Sequence, residues 1–270
     1  MIEFIIIVES RADAETASKL AERVLVDKVD WLEPELLPYL FRWSGLDPET
    51  DYSCWSDIKD IMQRAKASGL PIPKFLGHSK KRPLKADGAA TLKILNLIRV
   101  IQLKKSRQDE DSRYLRAVLF IRDLDNQPER REGMQQARAE QIDQSPQLEI
   151  IIGVANRMRE AWVLNGFVAS NPEEVQLLEA IKKQLPFDPC EESHRLRSNS
   201  REEPERMRNP KVVLEELTAR NELREQQCWQ ETSLELLRQR GKYTGLTDYL
   251  DEIEQRLIPV LLEQSPEADD

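Results

Sequence analysis

The stretch IEFIIIVESRADA, residues 2–14, decides the fold class. Residues 2–8 form an apolar, β-branched run that reads as a buried parallel strand. From Ala12 to Val26, Ala17, Leu20, Ala21, Val24 and Leu25 recur at helical spacing. The chain therefore passes from strand to turn to helix, with Glu9 and Asp13 at the turn. Two later runs repeat the pattern. RAVLFIR (116–122) ends in Asp123-Leu124-Asp125-Asn126, and a polar helix begins near Pro128, where proline suits a first turn. LEIIIGV (148–154) leads into a helix over Ala155–Asn165 that Gly166 ends. Strands alternating with helices predict an α/β fold with a doubly wound parallel sheet.

Between these units the chain is harder to read. Residues 27–70 hold Trp31, Trp43 and Trp55, three of the five tryptophans, and are broken at Pro34, Pro38 and Pro48. Short helices and loops follow, so the segment is expected as a helical insertion. IPKFLGH (72–78) reads as a short strand, SKKRPLK (79–85) as a basic run. Asp87-Gly88 then opens an amphipathic helix, 89–106, with Leu92, Leu95, Leu97, Ile98 and Ile101 on its apolar side. From about residue 170 the pattern is helical: one helix over 172–184, a charged loop over 190–209 expected to be mobile, and helices over 210–240 and 246–264. The domain plan is thus an α/β domain over 1–168, a helical region over 169–264 and a disordered tail over 265–270.

Composition excludes several classes. The 270 residues carry a net charge of −9, with 40% apolar and 33% charged residues. A protein that coats nucleic acid non-specifically is usually basic, so such contact here has to be local or metal-assisted. Cys54, Cys190 and Cys228 are far apart and odd in number, which gives neither a disulfide framework nor a zinc site. His78 and His194 are too few for a histidine-rich centre. No apolar stretch approaches the ~18 residues of a membrane span, and residues 5–8 lack the basic flank of a signal peptide. A soluble, cytoplasmic protein with no membrane partner is expected.

In an open α/β sheet, ligands bind beyond the carboxyl ends of the strands. Glu9, Asp123 and Asp125 stand at such ends, and hard cations such as Mg²⁺ take carboxylate oxygens, waters and substrate phosphates. Aspartates spaced i, i+2 on extended backbone share a side, so both can face one ion. Acidic residues are also common after strands simply as helix caps or turn formers. Asp13 has the same double reading, as a site acid or a first-turn acid favoured by the helix dipole.

These residues resemble the TOPRIM family, the metal-binding fold of topoisomerases, bacterial-type primases and OLD-type nucleases. The family places a glutamate after its first strand, in a turn like E-G-x-x-D-A, and a D-x-D after a later strand. Here Glu9-Ser10-Arg11-Ala12-Asp13-Ala14 and Asp123-Leu124-Asp125 match, over about residues 1–165. Ser10 replaces the usual glycine, and no glycine closely follows the D-x-D. The resemblance implies that Glu9 is an acid/base or metal ligand, Asp13 a second acid, and Asp123 and Asp125 ligands of Mg²⁺ or Mn²⁺. Glu160-Ala161-Trp162-Val163-Leu164 is similar to an E-x-W-x-L element of small stand-alone TOPRIM-like proteins. Glu160 is therefore a candidate for a second ion, as in two-metal phosphodiester chemistry, or else a helix-surface carboxylate beside a core tryptophan.

Lys80, Lys81, Arg82 and Lys85 precede a helix and are candidate phosphate contacts, though a charge run is more often a solvated loop. His78 is a candidate proton carrier, and His194, Arg195 and Arg197 form a minor cluster. The resemblance implies a metal-dependent nuclease acting on DNA or RNA. Such nucleases often work with an ABC-type ATPase in defence against foreign DNA. No G-x-x-x-x-G-K-[ST] loop occurs here, so that ATPase would be a separate chain. A non-catalytic, metal-binding interaction subunit is the alternative, and a homo-oligomer stays open. A haloacid-dehalogenase-type phosphatase fits less well, because its D-x-D stands near the start of the chain.

Overall fold

A computed structural model describes residues 1–71, 83–108 and 114–263. The elements run β1 (Ile2–Val8), α1 (Arg11–Lys28), α2 (Leu37–Leu40), β2 (Phe41–Ser44), β3 (Ser53–Cys54), α3 (Ile58–Ala67) and α4 (Gly88–Gln108). Then come β4 (Tyr114–Asp123), α5 (Glu129–Ala139), β5 (Glu149–Ala155), α6 (Arg159–Asn165), α7 (Pro172–Gln184) and α8 (Pro210–Leu217). Four helices close the series: α9 (Glu222–Gln230), α10 (Leu234–Gly241), α11 (Leu246–Glu252) and α12 (Ile258–Leu262), the last two joined by a π-helical turn over Ile253–Leu257.

The protein is α/β: the described residues form a five-stranded parallel sheet ordered β2-β1-β4-β5, with β3 paired to β1 on the edge opposite β4. All seven residues of β1 are buried, as an apolar run between two neighbours requires. Even Glu3 is buried; its Oε1 accepts from Nε and Nη2 of Arg42, its register partner on β2, at 3.1 and 2.5 Å.

The segment over 27–70 is not wholly helical, which corrects the expected insertion. It supplies β2 and β3 to the sheet, flanked by short helices. Phe41 and Trp43 pack tilted against Phe4 of β1, with centroids at 4.8 and 5.7 Å, and the Trp55 indole donates to the Ile121 carbonyl at 2.8 Å. Strands of four and two residues carry too few alternations to be read locally; pairing along β1 sustains them. The expected strand over 72–78 lies outside the described residues.

The chain divides into two compact units. The first holds Met1–Ile121, Gln127–Ile152 and the chain from Glu252. Within it α4 meets α5 at glycine: a Cβ on Gly133 would stand 2.0 Å from the Ala86 carbonyl oxygen, so only glycine allows the approach. Glu252 ties the unit's last segment down, pairing with Arg138 at 2.6 Å and Arg256 at 3.1 Å.

The second unit holds Arg122–Asn126 and Gly153–Asp251. Trp162 of α6 is buried and stacks on Tyr249 at 5.3 Å, while its indole donates to the Thr244 carbonyl at 2.8 Å. The helix expected over 210–240 is three helices. Left-handed Ala219 and Arg220 end α8, and Asn221 and Ser233 cap α9 and α10. Residues 190–209, expected as a mobile loop, are packed: Cys190, Ser193, Leu196, Met207 and Asn209 are buried, and Asn165 donates to the Cys190 carbonyl and the Ser193 hydroxyl. Arg224 grips Glu174 of α7 at 2.7 Å and holds its carboxyl down at about 2. Among the described residues no helix is long and apolar enough to cross a membrane.

Candidate functional site

The end of β1 is built around a cap. Glu9 follows Val8 and is half-buried. Ser10 takes an extended backbone and N-caps α1: its Oγ accepts from the Asp13 amide at 3.4 Å and donates to Asp13 Oδ2 at 2.6 Å. Asp13 is 6% exposed. Ser10 thus has a local purpose, and the Asp13 carboxylate is engaged in holding the helix start.

The end of β4 is built differently. Asp123 is half-buried, Leu124 is buried, and Asp125 and Asn126 are exposed. Asp125 and Asn126 both adopt left-handed backbone, with φ of 47° and 64°. Extended geometry therefore stops before Asp125, and the i, i+2 argument does not carry through the whole D-x-D. Two backbone bonds anchor the turn, Leu124 N to the Ala155 carbonyl at 2.9 Å and Asp125 N to the Arg157 carbonyl at 3.2 Å. Arg157 Nη1 adds a bond to Asn126 Oδ1 at 3.1 Å.

The strands that precede these acids are parallel neighbours, paired as far as Ile7 with Phe120. Among the described residues, no three histidine, cysteine, aspartate or glutamate side chains group closely enough to hold an ion by themselves. Mg²⁺ commonly takes only one or two protein carboxylates and completes its shell with waters and phosphates. Asp123 and Asp125, on one stretch of chain, offer oxygen donors of the number and kind that this chemistry uses.

Other candidates are placed less centrally. Glu160, in the first turn of α6, faces Lys211 Nζ at 3.8 Å, and neighbouring Arg159 pairs with Glu225 at 2.7 Å. They line a shallow cavity of about 450 Å³ with Arg201, Glu215 and Arg220, where acid and base alternate. Lys80, Lys81, Arg82 and His78 lie outside the described residues. Lys85 is ion-paired to Glu132, and its amide donates to Gln136 Oε1 at 2.9 Å, so it joins the chain before α4 to α5. Burial raises the thiols: Cys228 is pushed up to about 12 and Cys190 is also raised, so neither is a thiolate near neutral pH.

No protein-family model, curated protein or solved structure matches this chain. Its function has to rest on its own residues. One of these the sequence reading missed. Arg157, just past β5, is 6% exposed and bonds Asn126 and Asn199 Oδ1, the latter at 2.9 Å. The available signal was its place after a third buried strand, at the same level of the pattern as Glu9 and Asp123. Of the minor cluster, Arg195 lies over the Phe187 ring at 4.2 Å and pairs with Glu192, while the His194 ring sits 5.0 Å from that of Tyr243. Burial lowers the His194 pKa, which favours the neutral ring.

Proposed function

We propose that this chain is a Mg²⁺- or Mn²⁺-dependent phosphodiester hydrolase of TOPRIM type, acting on DNA or RNA. The observation that carries the reading is that Glu9 and the Asp123/Asp125 pair follow two strands that run side by side in a parallel sheet. Glu9 would act as base or ligand, and Asp123 and Asp125 would hold the ion, with Asp13 in a supporting place; Glu160 faces Lys211 in a cavity of its own and takes no part. A bound ion would supply Lewis-acid stabilisation of the negative charge that develops on the phosphate oxygens. Asp13 orients the turn that bears Glu9 through Ser10. A separate ABC-type ATPase as partner, and a role in defence, rest on the family resemblance alone.

The test is incubation of labelled DNA and RNA with wild type and Asp123→Ala in Mn²⁺, Mg²⁺ and EDTA. Metal-dependent cleavage by wild type, lost in the variant, is the expected result. No cleavage in either metal, or equal cleavage by both proteins, contradicts the hydrolase and favours a non-catalytic interaction subunit.

A further inference from the structure

The second unit contains a buried guanidinium, Arg157, for which no ion pair is formed among the described residues. Arg157 makes two side-chain bonds, both to amide oxygens, Asn126 and Asn199. Its Nε is buried with no hydrogen-bond partner. Among the described residues no carboxylate lies within ion-pair distance of this guanidinium. A guanidinium presents five N–H donors and cannot shed its proton at ordinary pH. Burying it without a counter-ion is costly, and an orphaned buried donor asks for an explanation.

Arg99, in the first unit, is a useful contrast. It is 8% exposed and also lacks a carboxylate, but Nε, Nη1 and Nη2 each reach an oxygen of Gln102 or Gln141, at 3.4–3.5 Å. No second cation acts on it, and burial alone depresses its pKa. Arg157 differs on both counts. Arg197, exposed and two residues before Asn199, lies near enough to repel it, and Asp125 near enough to attract it. Arg197 itself makes only a long bond to the His194 carbonyl, at 3.5 Å. Arg157 thus bonds the left-handed turn at Asn126 with a donor to spare, and Arg197 stands close enough to add its charge.

We infer that Arg157 and Arg197 form an anion subsite that receives a phosphodiester phosphate beside the end of β4. The subsite rests on the proposed hydrolase for its role but not for its chemistry. A phosphate oxygen supplies the acceptor that Arg157 Nε lacks, and its charge relieves the repulsion between the two arginines. The exposed Asn126 and Asn199 amides stand at the rim, where they can share or yield their bonds to Arg157. The chain is acidic overall, so a local pair of this kind is what nucleic-acid contact would need.

The test separates binding from cleavage. Labelled single-stranded and duplex oligonucleotides are titrated by fluorescence anisotropy in EDTA, across a salt series, with wild type, Arg197→Gln and Arg157→Met. Inorganic phosphate is added to each protein in a parallel thermal melt. Both variants should bind oligonucleotide roughly tenfold more weakly, and the slope of log affinity against log salt should shrink by about 0.7 on single strands per lost contact. Inorganic phosphate should raise the melting temperature of wild type only. Should Arg157→Met fail to fold, the exposed Arg197→Gln decides alone. Unchanged affinity and slope in folded variants overturn the subsite. A phosphate-dependent melting shift with unchanged oligonucleotide binding also overturns it, since the site would then take free phosphate. If Asp123→Ala abolishes cleavage while both arginine variants bind normally, the subsite fails and the hydrolase stands. If wild type never cleaves but the variants lose binding, the hydrolase fails and the subsite stands.

Discussion

After β1 the chain needs two residues to enter a helix; after β4 it needs five, and two of those are left-handed. Each strand ends in acid, yet the acids are held by opposite means. At β1, Ser10 and the buried Asp13 satisfy each other and fix the start of α1. At β4, the exposed Asp125 occupies a backbone conformation that favours glycine, and the turn is kept in place by bonds from outside it. The first end follows ordinary capping rules and stabilises the fold. The second stores strain of order 1–3 kcal/mol per residue, somewhat less for Asp and Asn, in a place where strain often accompanies function.

The largest effect that sharpens this contrast is on Asp13. Asp13→Ala removes a buried, charge-assisted hydrogen bond and should lower unfolding free energy by about 2 kcal/mol, measured by urea denaturation. A loss near zero would place Asp13 on the functional side of the comparison. Ser10→Ala keeps the carboxylate but removes the cap, and should cost about 1 kcal/mol in the same assay. The smallest change has the opposite sign. Asp125→Gly relieves a left-handed position on the surface and should raise stability by about 0.5 kcal/mol while weakening metal binding. Destabilisation by Asp125→Gly would mean that the aspartate braces its own turn, and the two strand ends would then be alike.

Much of this was legible. The strands β1, β4 and β5 are apolar runs buried on both faces, a pattern that local sequence carries by itself. The helix read over 172–184 is α7, because Asn171 caps it and Pro172 opens its first turn. What the sequence hid depends on partners far along the chain. β2 and β3 exist because β1 offers them an edge, and residues 190–209 are ordered because Asn165 of α6 reaches them. At the site, the acids were visible because a carboxylate after an apolar strand stands out. Their local conformations were not: the D-x-D spacing implied extended backbone, whereas the turn anchored by Ala155 and Arg157 forces Asp125 across to positive φ. Arg157 was passed over although it follows a buried strand, since an arginine in a sequence reads as solvated until its burial is known.

The proposed hydrolase requires Glu9 and the Asp123/Asp125 pair to bear on one ion. Isothermal titration with Mn²⁺ tests it most directly, on wild type, Glu9→Ala, Asp123→Ala and Asp125→Gly. Wild type should bind the ion, and each variant should weaken binding by roughly tenfold or more, at least the loss seen when a group supporting a metal site is removed. Wild-type affinity retained in Glu9→Ala and in both aspartate variants would contradict a shared ion.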